Sequence, residues 1–218
     1  MICHKSKCIF IHIPRTAGSS IEIAIQGKNQ WAVDMRRKHL IASTAKRLYK
    51  DYWDEYFKFS FIRNPWDRVV SMCKYGNKHP REWNRIYGCE ITNGLLNMDN
   101  YEKIYPDGIE IDPRFEFKNE IPQNIIPNSV YLNILNEKLD FVGRFENLKH
   151  DIEYISDKLS RQITLPLVEK SIRKHYSVYY NEEVKNKVEN TYLNDISRFG
   201  YEFNEPADKW KSSTCLIK

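Results

Sequence analysis

Cys8-Ile-Phe-Ile-His-Ile-Pro-Arg-Thr-Ala-Gly-Ser-Ser20 carries three structural signals in one short stretch. Residues 8–13 form an apolar run of the length expected for a buried strand. Pro14 ends the run and Gly18 allows a turn. Ser19 or Ser20 can then cap a helix that continues to about Gln26. The loop of this strand–turn–helix unit lies where backbone N–H groups and the positive end of a helix dipole converge. Thr16, Ser19 and Ser20 add hydroxyl donors, Gly18 lets the backbone approach closely, and Arg15 supplies a fixed cation. Such a loop suits a phosphate. An ordinary turn with a surface arginine is the alternative, and the G-x-x-x-x-G-K-[ST] spacing of a Walker loop is absent.

A second unit of the same kind is Phe59-Ser-Phe-Ile-Arg-Asn-Pro-Trp-Asp-Arg-Val-Val-Ser71. Phe57, Phe59 and Phe61 alternate along a strand that ends near Ile62. Asn64 at the N-cap, Pro65 at the first helical position and Asp67 two residues on then spell a helix start, with the helix reaching about Tyr75. Arg63 at the strand end and Ser71 on the same side of the helix as Asp67 can hold a second anion. The fork of the arginine and the hydroxyl of the serine would do so. Pairing of Arg63 with a carboxylate, and simple packing of Ser71, is the plainer reading.

The remaining chain fits an α/β organisation. Residues 31–56 read as helical, with Ser43 or Thr44 as a cap. Residues 77–125 hold Pro80, Pro106, Pro113 and Pro122 and no sustained period, as expected of an acceptor-binding excursion. Leu139–Phe145 reads as a third strand, and Leu148, Ile152, Ile155 and Leu159 form one helical stripe. A last helix starts at Asn181, carries Glu182 and Glu183 in its first turn, and stops at Gly200. Val184, Val188, Tyr192, Ile196 and Phe199 line its buried face. Alternating strands and helices predict a three-layer α/β domain over residues 1–218, with a mainly parallel sheet.

Composition narrows the function. A net charge of +5, from 34 Lys and Arg against 29 Asp and Glu, suits an anionic ligand but is too weak for a nucleic-acid stripe. No apolar run is long enough to span a membrane. The opening residues run straight into a strand, so no signal peptide is expected. Five irregularly spaced cysteines (Cys3, Cys8, Cys73, Cys89 and Cys215) point to a reduced, cytoplasmic chain. Cys3, His4, Cys8 and His12 lack the tight spacing of zinc ligands, so no metal site is assigned.

Both units, in this order, resemble the PAPS-dependent sulfotransferases, where PAPS is 3′-phosphoadenosine 5′-phosphosulfate. The likeness is strongest to the carbohydrate branch that includes uronyl and heparan 2-O-sulfotransferases. In that family a loop reading H-I-P-K-T-A-G-[ST]-[ST] binds the 5′-phosphosulfate. The Arg and Ser of F-x-R-N-P-x-x-R-x-x-S bind the 3′-phosphate. Asp140-Phe-Val-Gly-Arg-Phe-Glu-Asn-Leu148 and Asp195-Ile-Ser-Arg-Phe-Gly-Tyr-Glu-Phe203 match as well, while residues 77–125 match least. The resemblance implies the sulfotransferase fold, with a strand–loop–helix cofactor site like a P-loop, and transfer of a sulfuryl group from PAPS to an acceptor hydroxyl on a carbohydrate. The nucleotide product would be adenosine 3′,5′-bisphosphate. It assigns Arg15, Thr16, Ala17, Gly18, Ser19 and Ser20 to the 5′ end, and Arg63 and Ser71 to the 3′-phosphate. One departure is Arg15, where the family carries a lysine that stabilises the leaving group. The tyrosylprotein branch is similar to this chain in having arginine there.

The resemblance also places the general base at His39, between the two motifs; a half-exposed helix histidine beside Arg36, Arg37 and Lys38 is the alternative. Lys170-Ser-Ile-Arg-Lys-His-Tyr176 resembles a family loop that closes over the cofactor. Ser171 and Arg173 there either reach the 3′-phosphate or belong to a solvated basic face. Glu146 either orients the acceptor or a cofactor-loop arginine, or is the first-turn charge of its helix. Two other functions fit the motifs less well. One is a bisphosphate-binding protein without turnover, and the other is a nucleotide-dependent phosphotransferase.

Overall fold

A computed structural model describes residues 1–34, 37–78, 88–101, 124–166, 173–205 and 209. The chain opens with a hairpin of β1 (Ile2–Cys3) and β2 (Cys8–Ile11), followed by α1 (Gly18–Gln26) and α2 (Gln30–Val33). Helices α3 (Ala42–Leu48) and α4 (Lys50–Trp53) lead into β3 (Phe57–Ile62) and α5 (Pro65–Lys78). A small hairpin, β4 (Glu90–Thr92) and β5 (Leu95–Asn97), precedes α6 (Tyr131–Ile134) and β6 (Phe141–Arg144). Helices α7 (Leu148–Lys158), α8 (Glu182–Thr191) and α9 (Leu193–Phe199) complete the described elements.

The central sheet has the order β1-β2-β3-β6. Strands β2, β3 and β6 are parallel, with Phe10 opposite Phe59 and Phe59 opposite Phe141 in register, and β1 adds an antiparallel edge. Alternation along the strands splits the core in two. Ile9 and Ile11 of β2, Ile62 of β3 and Val142 of β6 bury against α3, α5, α6, α8 and α9. Phe10, Phe59, Phe61 and Phe141 face the other way, onto Ile21 and Ile25 of α1 and Ile152 and Ile155 of α7. Fully burying each such side chain is worth roughly 1.5–3 kcal/mol relative to exposure. This is the expected three-layer arrangement, and it sets the loops after β2, β3 and β6 side by side at one end of the sheet.

Helix α5 starts as expected. The Asn64 side-chain oxygen accepts from the backbone N–H of Trp66 at 3.1 Å and of Asp67 at 3.3 Å. Three other local expectations are corrected. Helix α1 is entered through Ala17 in the left-handed conformation, without a side-chain cap, so Ser19 and Ser20 lie inside its first turn. Helix α3 is entered through Ile41 rather than Ser43 or Thr44; the Ser43 N–H instead donates to the side chain of Asn136 at 2.9 Å. The last helix is two helices, broken at Tyr192, whose buried hydroxyl accepts from Arg68 at 2.6 Å.

The cysteine expectation is corrected too. Cys73 of α5 and Cys89 before β4 form a disulfide, so this stretch of the 77–125 excursion is tied to the core. Cys3 and Cys8 are free and buried, directly opposite each other across the β1–β2 hairpin. Cys215 and most of the excursion, residues 79–87 and 102–123, lie outside the described residues.

Candidate active site

The loop after β2 turns through two residues at positive φ, Arg15 (67°) and Ala17 (68°), and runs straight into α1. Gly18 is not the left-handed residue of this turn. Its need for no side chain comes from His12, because a Cβ at Gly18 would lie 2.1 Å from the His12 ring. The Thr16 hydroxyl donates back to the Ile13 carbonyl at 2.8 Å and closes the loop on itself. With no side chain capping α1, its first N–H groups face the loop opening, which is the arrangement that accommodates an anion.

Behind the loop lies a buried charged network. His12 follows the last residue of β2 and is 4% exposed, while Glu22 of α1 and Lys38 are 0% and 2% exposed. Glu22 bridges the other two, at 2.6 Å from His12 Nδ1 and 2.8 Å from Lys38 Nζ. Burial pushes the Glu22 carboxyl up, but the His12 and Lys38 charges overcome it and hold the group below the usual carboxylate range. Lys38 Nζ also reaches Asn29 and, at 3.4 Å, the Ser19 hydroxyl of the loop. The network thus fixes one wall of the cradle. Glu22 and Lys38 were not singled out in the sequence. The usable signal was a carboxylate set among Ile21, Ile23 and Ile25, since a buried charge requires a partner.

His39 stands against the same wall, its ring edge-on to His12 at 4.5 Å between centroids. Its Nδ1 lies 3.1 Å from the His12 carbonyl oxygen. A carbonyl only accepts, so Nδ1 carries the hydrogen of the neutral ring and Nε2 the lone pair. Desolvation, then the neighbouring His12 and Lys38, hold the His39 pKa well below the usual 6.5. Of the cations expected around it, Lys38 is paired with Glu22 and Arg37 with Asp34 at 3.0 Å, and Arg36 lies outside the described residues.

The residues expected to hold a second anion lie at the end of β3, where Arg63 pairs with a carboxylate, as its plainer reading has it. Arg63 sends its Nε and Nη2 to Asp67, at 2.7 and 2.6 Å, and its Nη1 to the Arg15 carbonyl at 3.0 Å. Its guanidinium lies 3.8 Å from the centre of the Phe145 ring. Arg173, far along the chain, pairs with the other Asp67 oxygen. Arg15 spans the two sites: its Nε donates to the Ser71 hydroxyl at 3.2 Å and its guanidinium stacks over Tyr75 at 4.4 Å. Buried Arg68 steadies the first loop by donating to the Pro14 carbonyl at 2.9 Å. The structure therefore brings Arg15, Ser71, Arg63 and Arg173 into one connected cluster, whereas Ser171 lies outside the described residues.

Glu146, just after β6, closes the edge of this cluster. One carboxylate oxygen accepts from the Asn64 N–H at 2.6 Å and the other from the Tyr201 hydroxyl at 3.3 Å. It keeps a solvent-exposed surface, yet the surrounding protein desolvates it and pushes its pKa up to about 7. Glu146 lies in the first turn of the short 3-10 helix Phe145–Asn147, as its first-turn reading expects, and its Asn64 partner directly follows Arg63.

Comparison with curated proteins and with solved structures returned no match. The family model described as "Sulfotransferase family" matches residues 1–202, which take in both anion-site units, the β6 segment and α9. Together with the mainly parallel sheet and its clustered loops, this match decides the assignment: the chain belongs to the sulfotransferase family.

Proposed function

We propose that the sulfuryl donor is PAPS and that the acceptor is a hydroxyl group of a carbohydrate. The observation that supports the donor reading is the pair of donor-rich clusters at the ends of β2 and β3, joined by Arg15. A ligand with a charged group at each end of an adenosine fits that pair better than a linear polyphosphate does. The donor set fits as well, with N–H groups and hydroxyls at one site and two arginines and a serine at the other. When bound, PAPS would supply an activated sulfuryl group on its 5′-phosphate.

In this reading, Arg15 and the start of α1 hold the 5′ end and offset the charge that grows on the leaving phosphate. Thr16 and Ala17 shape the turn, Gly18 makes room for His12, and Ser19 and Ser20 present hydroxyls from the first turn. Arg63, Ser71 and Arg173, with Ser171 as its proposed neighbour, hold the 3′-phosphate. His39 accepts the acceptor's proton at Nε2, and the His12 carbonyl keeps Nδ1 protonated so that Nε2 is the basic atom. The carbohydrate acceptor rests on the branch resembled, with the 77–125 excursion as its proposed lid on a single domain of residues 1–218. No helix among the described residues is long and apolar enough to cross a membrane. The Cys73–Cys89 bond fits an oxidising compartment better than the cytoplasm expected from unpaired cysteines.

A thermal-shift comparison tests the donor. A ligand at a hundred times its Kd stabilises the folded state by about 2.7 kcal/mol, which for a chain of this size raises Tm by about 5–10 °C. Adenosine 3′,5′-bisphosphate is expected to give that rise at concentrations where ADP and ATP give little. Equal shifts with all three would sink the PAPS reading and favour a general nucleotide site.

A further inference from the structure

Two arginines converge on the second anion site, and one carboxylate already occupies the space between them. Asp67 gives one oxygen to Arg63 and the other to Arg173, which lies in a separate segment of the chain. The side chains of Arg63, Asp67 and Arg173 are only 7%, 14% and 12% exposed, so water does little to weaken these pairs. Arg63 in particular is filled. Its Nε–Nη2 edge is on Asp67, its Nη1 is on the Arg15 carbonyl, and the Phe145 ring lies against its guanidinium. An arriving phosphate meets a fork whose two-pronged edge is taken by another anion.

We propose that Asp67 is a built-in competitor that holds the 3′-anion site closed until a phosphate displaces its carboxylate from the arginines. The inference rests on the reading of Arg63 as a 3′-phosphate contact. Charge makes the competition direct. Two guanidinium groups against one carboxylate leave a net charge of +1, whereas adding a phosphate of about −1.5 to −2 without moving Asp67 sets two anions against each other. Displacement restores the balance, with both arginines on the phosphate and Asp67 turned away. Asp67 lies in the first turn of α5, where its backbone N–H donates to Asn64 at 3.3 Å, so the backbone can stay in place while the side chain turns away. A ligand without the 3′-phosphate has nothing to exchange for those two pairs. Asp67 thereby lowers affinity for the 3′-phosphorylated nucleotide and leaves a ligand without the 3′-phosphate nearly unaffected.

The test uses the full chain and its Asp67→Asn variant, with adenosine 3′,5′-bisphosphate and AMP titrated calorimetrically. The amide is nearly isosteric and retains the backbone bond to Asn64. An Asp67→Ser variant, folded by its Tm, serves as the second probe. The expected result is bisphosphate binding at least fivefold tighter in both variants, with AMP affinity changed less than twofold. Unchanged or weaker bisphosphate binding would show that Asp67 orients the arginines instead, and equal tightening of both nucleotides would reduce the effect to general charge. Should the native chain fail to prefer the bisphosphate over ADP, the donor reading falls, and inorganic phosphate then judges the gate. Tighter phosphate binding by Asp67→Asn upholds it, and unchanged binding overturns it.

Discussion

Replacing His39 by asparagine is expected to cut sulfuryl transfer by about 10²–10⁴-fold, the usual worth of a positioned general base, while leaving bisphosphate affinity within about twofold. The expectation follows from two features of the ring. Its Nδ1 hydrogen is committed to the His12 carbonyl, so the lone pair sits on Nε2. Its pKa is held well below 6.5 by desolvation and by the adjacent His12 and Lys38, so the ring is neutral and able to accept a proton at pH 7. The pH–rate profile of the native chain should accordingly stay flat from pH 8 through 6.5, with its acidic limb below that, and the variant should lose the limb. Stability gives an independent check on sign. A folded-state pKa below the unfolded value means that the unfolded chain binds the proton first as pH falls through about 6.5. His39 therefore contributes a loss of stability on acidification. The variant should show a shallower loss, because His12 and the buried N-terminal amine, both also lowered by desolvation, still contribute in the same sense. Weakened nucleotide binding with unchanged saturated turnover would instead make His39 a nucleotide contact.

Replacing Arg63 by alanine is expected to weaken adenosine 3′,5′-bisphosphate binding by roughly 10- to 150-fold, since a charge-assisted phosphate contact is worth about 1.5–3 kcal/mol. AMP should lose much less. Some loss for both ligands is expected, because Arg63 also supports the first loop through the Arg15 carbonyl. Isothermal titration of the two ligands separates these roles. An equal loss for both would leave Arg63 as a support for the loop and remove it from the 3′-phosphate site.

The parts of this architecture that were legible in the sequence are those governed by local chemistry. The apolar run before Pro14, the alternating phenylalanines of β3 and the Asn64-Pro65 helix start all appear as read. What was not legible is governed by partners distant in the chain. Two helix starts are satisfied from elsewhere in the chain: Asn136 serves α3, and Asp195 takes the N–H groups of Val130, Tyr131 and Leu132 at α6. A serine near a helix start, such as Ser19 or Ser43, therefore misleads. The break at Tyr192 is likewise tertiary, because that residue is buried with its hydroxyl on Arg68 and its ring edge-on to Tyr131. The Cys73–Cys89 pairing depends on how the chain returns to α5 and leaves no mark in the spacing. For the proposed site, the sequence named Arg15, His39, Arg63 and Ser71, and the structure links Arg15, Arg63 and Ser71 by hydrogen bonds. In the sequence Asp67 reads only as a helix-start residue, because its hold on Arg173 joins segments more than a hundred residues apart.

Sulfuryl transfer from PAPS is tested by incubating the full chain with sulfur-labelled PAPS and a panel of glycans, peptides and phenols. Label is expected in a glycan hydroxyl, with one adenosine 3′,5′-bisphosphate formed for each sulfate transferred, and both products formed more slowly at limiting PAPS by Arg63→Ala and by His39→Asn. Tight binding of the bisphosphate with no label moved to any acceptor would contradict this expectation and leave a binding protein in place of an enzyme.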